Sequence, residues 1–592
     1  MGMGRFRQQI RVAALVLGFC MVAVFPVRSV ISAAAALPTP PVTSNAFVLE
    51  AIGKVPRDGD QRIPNPATPT GISISRVDGC TQTFVSGPNV TAATVNRSIA
   101  NLQNHMTRSE TICLQGTFHD PIHVWGKYSP ALLIIQARPH HAATLALGTA
   151  QSSAVDPNEY DGVAGGVSIV DSRGVEIKGL TITGYHTKGT SQTPAGIYVE
   201  ERTAGFGGTP SGCFTHGDRA CSDIYLIANH ITHIANLADT VDTSKQWCNN
   251  GNVDAFGIEV ESFGRGNAGA LQHVVIEGNT VAYTRTGQSE TVAVNGDVKD
   301  FLVAKNRIYN TDNIAIDTEG WYNGTGQSRF GLVSGNLVAN VDTWNNRAYG
   351  QWNPRTHSCS ALQPNAGGIY DDGGSYIWIA NNVVANTDQG ISLDTENANR
   401  WTDHILVSGN RVWNSPGTHL GDPSYGKNPV GIPGRSTVAG HAYDALYIDA
   451  FGPHSQIFDV YVYNNVFQNV SRYFGGMHRE SANTVDFGGM WRRVVLWNNT
   501  IVGGGLGDRQ VSLLGIDRLP LRALGTAINC NKYQGLSSGA NFYLPSASFH
   551  SLSAWQQDNG YRWDSKSTEN QSPGCPALTS SQPHKKMQHF LN

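Results

Sequence analysis

Acidic residues recur at one position of a short pattern repeated through the middle of this 592-residue chain. GIYVE, GIEVE, TVAVN, IAIDTE, GIYDDG, GISLDTE and ALYID are each short, β-prone and alternating. In an extended strand alternate side chains share a face. The apolar pairs Ile197/Val199, Ile258/Val260, Val292/Val294, Ile314/Ile316, Ile391/Leu393 and Leu446/Ile448 are therefore expected to point into a core. The next residue of each then points out: Glu200, Glu261, Asn295, Asp317, Asp394 and Asp449, joined by Asp372 of GIYDDG. Stacked strands would set like charges ~5 Å apart, repelling by about 3 kcal/mol per pair at an effective dielectric near 20. Relief comes from a proton, a cation or a nearby Arg. A proton held by one of two paired carboxyls makes a glycosidase general acid. A Ca²⁺ ion, with its preference for oxygen ligands, is the cation such a stripe could hold, although hydrolysis requires no cofactor.

Three rungs stand out within the stripe. Asp317-Thr318-Glu319 and Asp394-Thr395-Glu396 repeat one tripeptide at the same expected phase, and Asp371-Asp372 lies between them. Asp371 falls where other rungs carry Val, Ile or Leu, so a regular strand turns it inward and raises its pKa by desolvation. A turn at Asp-Asp-Gly-Gly would instead leave it in solvent. Retaining glycosidases hold two carboxyls ~5 Å apart and inverting ones ~6.5–9.5 Å apart. Adjacent rungs suit the first, and Asp317 with Asp394, two rungs apart, suits the second. Asp317, Asp371, Asp372, Asp394, Glu319 and Glu396 are thus the catalytic candidates.

Aromatic and basic residues cluster around these rungs. Trp321 and Tyr322 follow the first tripeptide, and Tyr370 and Asp449 lie on the strands themselves. Long inserts after Asn336 and Asn410 carry Trp344, Trp352, His357, Arg435 and His441. Aromatic rings beside carboxylates suit a sugar, whose C–H faces pack on π-faces while its hydroxyls bond to acids. Arg435 or His441 could instead be the base of a Ca²⁺-assisted polysaccharide lyase. A third alternative is a surface protein that binds glycans without turning them over. Net charge is −3 with no basic block, which argues against nucleic acid as a partner.

A second repeat positions the first. IANHI, IEGNTV, AKNRI, VSGNLV, ANNVV, VSGNRV, YNNVF and WNNTI place Asn at 229, 279, 306, 336, 382, 410, 465 and 499, with Leu180 at the equivalent place in IKGLTI. The intervals run from 27 to 55 residues, the short ones marking a bare rung and the long ones inserted loops. Such variation disfavours a propeller and fits a parallel coil that climbs one strand spacing per turn. The repeated Asn is expected at the corner, in left-handed backbone geometry, with amides stacked along the axis.

These rungs, with ETICLQGTFHDPIHVWG and LLIIQARPHHAATLALG near the start, resemble the secreted right-handed parallel β-helix proteins of the pectin-lyase-like superfamily. The resemblance implies an all-β, single-stranded solenoid with long loop insertions and a capping helix before its first rung. It also implies a carbohydrate-active protein: a glycoside hydrolase, a polysaccharide lyase or a uronate epimerase. Gly440-His441 is only a partial match to the polygalacturonase Gly-His-Gly motif, no Arg-x-Lys follows, and the Asp-Pro-His-Asp motif of mannuronan epimerases is missing. Val95, Ile99 and Leu102 give residues 89–106 the apolar face of the cap, and SLSAWQQDNGYRWDS is expected to close the far end.

The expected organisation is a signal peptide (1–36), an N-terminal extension (37–88), the β-helix with its cap (89–565) and a C-terminal tail (566–592). Arg5, Arg7 and Arg11 precede an apolar run from Val12 to Val27 and then Ala33 to Ala36, the pattern of a secretory signal. The run is short for a bilayer span. Export leaves eight cysteines free to form disulfides, with Cys213 and Cys221 the expected local pair. Oligomeric state is not read from these patterns.

Overall fold

A computed structural model describes the chain from Gly79 to Gln571, together with Cys575. Outside the description within that range lie 151–161, 189–191, 203–212, 214–220, 238–253, 265–270, 322–323, 415–443, 470–482, 488–490, 504–511, 517–526, 537–541, 545–546 and 558–563, positions 388 and 451, and parts of 342–366. The expected signal peptide, most of the N-terminal extension and most of the tail fall outside it.

One turn of the coil shows the plan. Strand Leu271–Glu277 runs to a corner at Gly278, strand Thr280–Thr284 follows, and Val292–Gly296 completes the turn. Each pairs in parallel with its equivalent one turn on: Val274 with Phe301, Val281 with Ile308 and Val292 with Ile316. The first two strands of each turn belong to a 25-stranded sheet and the third to a 13-stranded sheet. Together they form the right-handed parallel β-helix. Val and Ile recur because branched side chains pack well on a pleated surface. Inside the coil, Ile197, Ile258, Val292, Ile316, Ile369, Ile391 and Leu446 stack in one fully buried column.

The asparagines form a continuous ladder. Each Nδ2 donates to the Oδ1 of the next, from Asn229 through Asn279, Asn306, Asn336, Asn382, Asn410, Asn465 and Asn499 to Asn531, at 2.9–3.1 Å. Asn531 extends the series one rung beyond the sequence pattern. The left-handed residue is the one before the Asn, such as Ala228, Lys305, Asn381 and Asn498, not the Asn itself. That residue makes the corner, and the following Asn is left to turn its amide into the stack.

Both ends are closed. Helix α1, Ala92–Leu102, buries Ala92, Val95 and Ile99 against the first rungs. Helix α2, Leu552–Gln557, places Trp555 against Phe542 and Phe549. These caps cover strand edges that an open coil would expose. Disulfides join Cys80 to Cys113, Cys213 to Cys221 and Cys530 to Cys575. Among the described residues no helix is long and apolar enough to cross a membrane.

Candidate active site

Seven strands of the 13-stranded sheet carry the acidic stripe: β1 (Thr193–Glu201), β2 (Phe256–Ser262), β3 (Val292–Gly296), β4 (Ile316–Glu319), β5 (Gly367–Asp372), β6 (Gln389–Asp394) and β7 (Leu446–Ile448). Their register aligns Glu200, Glu261, Asn295, Glu319, Asp372 and Asp394 in one outward column. Asp449 continues it, directly after Ile448, the partner of Leu393.

Asp317 does not occupy the place expected for it. It pairs with Ala293 and Tyr370, in the neighbouring outward column that also holds Tyr198, Glu259, Ser392 and Tyr447. Glu319 takes the predicted position instead. The two Asp-Thr-Glu tripeptides are thus offset by two residues, and Asp317 with Asp394 is not a two-rung pair. The reason lies at the corner before each strand. A Cβ on Gly196, Gly257, Gly368 or Gly390 would come within 2.3–2.5 Å of Ile231, Val281, Val384 or Val412. At that crowded point every one of these rungs but one carries Gly or Ala, Thr291 being the exception, and Ala315 is the residue on the Asp317 rung. It sets Ile316 and Thr318, not Ile314 and Ile316, as the inward pair.

The stripe is recessed. None of Glu200, Glu261, Asn295, Asp317, Glu319, Asp372, Asp394 and Asp449 is more than 9% exposed. Burial first, then the charges of Glu396 and Glu319, push the Asp372 carboxyl well above the usual range; Asp394 adds to the rise. The backbone N–H of Glu396 donates to Asp372 Oδ1 at 2.8 Å and opposes it. Asp317 is raised by burial and then by Glu290, Glu319, Asp372 and Asp371. Asp394 is raised by burial and by Asp449 and Glu396, with the hydroxyls of Ser392 and Tyr370 acting against the rise. The Ser392 hydroxyl donates to Asp394 Oδ2 at 2.7 Å. Glu290, the strongest charge acting on Asp317, was not singled out from the sequence. Its only signal there is its place just before the Thr291-Val292 start of a rung.

Asp371 lies on the opposite, core side of β5, paired with Thr318 and Leu393. The strand continues through Asp372, so the Asp-Asp-Gly-Gly turn does not cut it short. The Thr318 hydroxyl donates to Asp371 Oδ1 at 2.6 Å, and burial pushes the carboxyl up to about 7.

Around the acids, Tyr370 donates its hydroxyl to Glu396 Oε1 at 2.6 Å. Burial and the neighbouring acids raise the Tyr370 pKa, so the phenol keeps its proton. Asp449 accepts from the Tyr447 hydroxyl (2.6 Å) and the Ala450 N–H (2.7 Å). Trp321 follows Gly320 at the end of β4, in left-handed geometry. Its Nε1 donates to the Trp401 carbonyl at 3.0 Å, its ring meets Trp401 edge-on, and Arg400 lies over it at 4.7 Å. Tyr322, Trp344, His357, Arg435 and His441 lie outside the described residues, as does the side chain of Trp352. Among the described residues no group of three or more His, Cys, Asp or Glu side chains is arranged to hold a metal ion.

No family model matches the chain. The uncharacterized protein YwoF of Bacillus subtilis (strain 168) is 30% identical over 336 residues, which are 57% of this chain and 61% of YwoF. The chain therefore spans less than two thirds of that relative's length. Among solved structures, the GH136 lacto-N-biosidase from Eubacterium ramulus is similar at 13% identity and a TM-score of 0.40, over 79% of this chain and 65% of that one. The catalytic domain of a GH87 alpha-1,3-glucanase in complex with nigerose is similar at 12% and 0.37, over 84% and 70%. PfbA, a surface adhesin of Streptococcus pneumoniae, is similar at 12% and 0.35, over 77% and 90%. At such values these structures assign no chemistry to the chain.

Proposed function

We propose that the protein is a secreted glycoside hydrolase in which Asp372 is the general acid and Asp394 the nucleophile. The observation that carries this reading is the alignment of Glu319, Asp372 and Asp394 on consecutive strands, each buried and each outward. Parallel neighbours lie ~4.8 Å apart, near the carboxyl separation of a retaining enzyme. Asp372, pressed by three acids and relieved by one backbone N–H, holds its proton. Asp394, which accepts the Ser392 hydroxyl at 2.7 Å, is the partner assigned the ionised, nucleophilic role. Asp372 then protonates the glycosidic oxygen while Asp394 bonds to the anomeric carbon and the leaving sugar departs with that proton. Water, deprotonated by the Asp372 carboxylate, hydrolyses the glycosyl ester and restores both groups. Trp321, at the end of β4, offers a ring for a neighbouring sugar unit. The three disulfides among the described residues suit an oxidising compartment and support export.

The depth of the acids favours one second reading, a glycan-binding surface without turnover. Incubation with a panel of polysaccharides separates the two. New reducing ends without a conjugated, ultraviolet-absorbing product support hydrolysis, and binding without cleavage supports the second reading.

A further inference from the structure

The charge of the stripe bears on which sugar it takes, an argument that rests on its being the sugar site. The charges acting most strongly on Asp317 are Glu290, Glu319, Asp372 and Asp371. Those on Asp372 are Glu396, Glu319 and Asp394, and those on Asp394 are Asp449 and Glu396. Every one is an acid. Of the nearby described cations, Arg329 is paired with Asp297 and Arg400 lies over the Trp321 ring. A ligand entering here therefore meets crowded carboxyl groups that ionise readily only when a positive charge joins them.

A second observation concerns hydrogen bonds. Asp317 Oδ1 and Asn295 Oδ1 are buried and accept no hydrogen bond. Both belong to the outward face, Asn295 beside Glu319 and Asp317 beside Ala293. Buried acceptors without donors are costly, so a well-matched ligand brings donors to them. A uronate carboxylate brings only acceptors and a like charge; a hydroxyl brings one donor; an ammonium brings three and the opposite charge. We infer that the stripe selects a glycan bearing a free protonated amine, a hexosamine unit, over neutral sugars, and refuses uronates. Because the surrounding acids hold protons in the empty site, docking of the ammonium expels one.

Three gluco-configured monosaccharides that differ in charge test this without regard to linkage: glucosamine, glucose and glucuronate. Each is titrated calorimetrically into the full chain at mildly acidic pH, in buffers of different ionisation enthalpy. The expected result is glucosamine binding tighter than glucose by about tenfold or more, with glucuronate weakest. A buffer-dependent enthalpy should report proton release with glucosamine alone. Asp317→Asn should weaken glucosamine several-fold more than it weakens glucose, with the thermal midpoint confirming that the variant is folded. Glucose or glucuronate binding as well as glucosamine overturns the inference. So does glucosamine binding that is undetectable at tens of millimolar or insensitive to Asp317→Asn. Glucosamine binding as expected, with every polysaccharide left uncleaved, would overturn the hydrolase reading and leave this one standing.

Discussion

Asp372 and Asp394 are direct register partners on adjacent parallel strands, and the N–H of Glu396, two residues past Asp394, reaches back to Asp372 Oδ1 at 2.8 Å. One stretch of backbone thus fixes the spacing of both carboxyls. Their separation does not depend on the long inserts, so the acid pair is built on paired strands and not on loops.

Asp372→Asn should lower turnover by about 10²–10⁴-fold, the usual contribution of a positioned acid. The amide oxygen can still accept the Glu396 N–H, and a buried group that resists ionisation is replaced by a neutral one. The thermal midpoint should therefore hold or rise. Initial rates and a melting curve on the same preparation check this, and undiminished turnover would remove Asp372 from the mechanism.

Asp371 makes stability depend on pH. Its folded pKa is about 7 against 3.8 unperturbed, so the fold favours the protonated form. The stabilisation is complete below about pH 4 and is lost as pH rises through about 7. Asp317, Asp372 and Asp394 shift in the same direction, so the wild type should lose stability across this window. Asp371→Asn keeps an acceptor for Thr318 and cannot ionise. Its unfolding free energy should overtake the wild type by a few kcal/mol on going from mildly acidic to mildly alkaline buffer. Parallel pH profiles of the two proteins would sink the assignment.

Much of this arrangement was legible in the sequence because the coil repeats its physics. The Asn positions announced the ladder, since each amide must meet an identical one. The alternation of Ile391, Ser392 and Leu393 announced which face is buried. The column of Asp317 was misread because apolar residues alone were used to set the phase, and Thr318 is an inward residue that is not apolar. The residue at the corner, small on six rungs (Gly196, Gly257, Ala315, Gly368, Gly390 and Ala445) and Thr291 on the seventh, marks the register better than the apolar pairs do. Its significance is steric and appears only when the facing Val or Ile is known. Glu290 was invisible for a related reason: it stands outside the strand pattern and gains meaning only beside Asp317.

That corner can be tested directly. A Cβ at Gly390 would lie 2.3 Å from Val412 Cγ1 and 2.4 Å from the Ala445 carbonyl oxygen, and backbone cannot yield as a flexible side chain does. Gly390→Ala should destabilise by about 1–3 kcal/mol. Because β6 begins beside it and ends on Asp394, turnover should also fall. A variant as stable and active as the wild type would show that the corner does not set the register.

The ladder invites the last test. Asn336 donates to Asn382 Oδ1 and to the Val303 carbonyl, both at 2.9 Å, and accepts from the backbone and side-chain N–H groups of Asn306, both at 3.0 Å. Asn336→Ala removes the amide but leaves those four partners buried, and each has lost water as an alternative. The expected loss is about 1–3 kcal/mol in denaturant unfolding. Rungs of a solenoid contact mainly their neighbours, so the damage should be local. Amide exchange should quicken around Asn306 and Asn382 while the rungs near Asn229 keep their protection. A uniform change along the coil would mean that the rungs unfold as one unit, and a negligible loss would mean that the amide stack contributes little to holding them together.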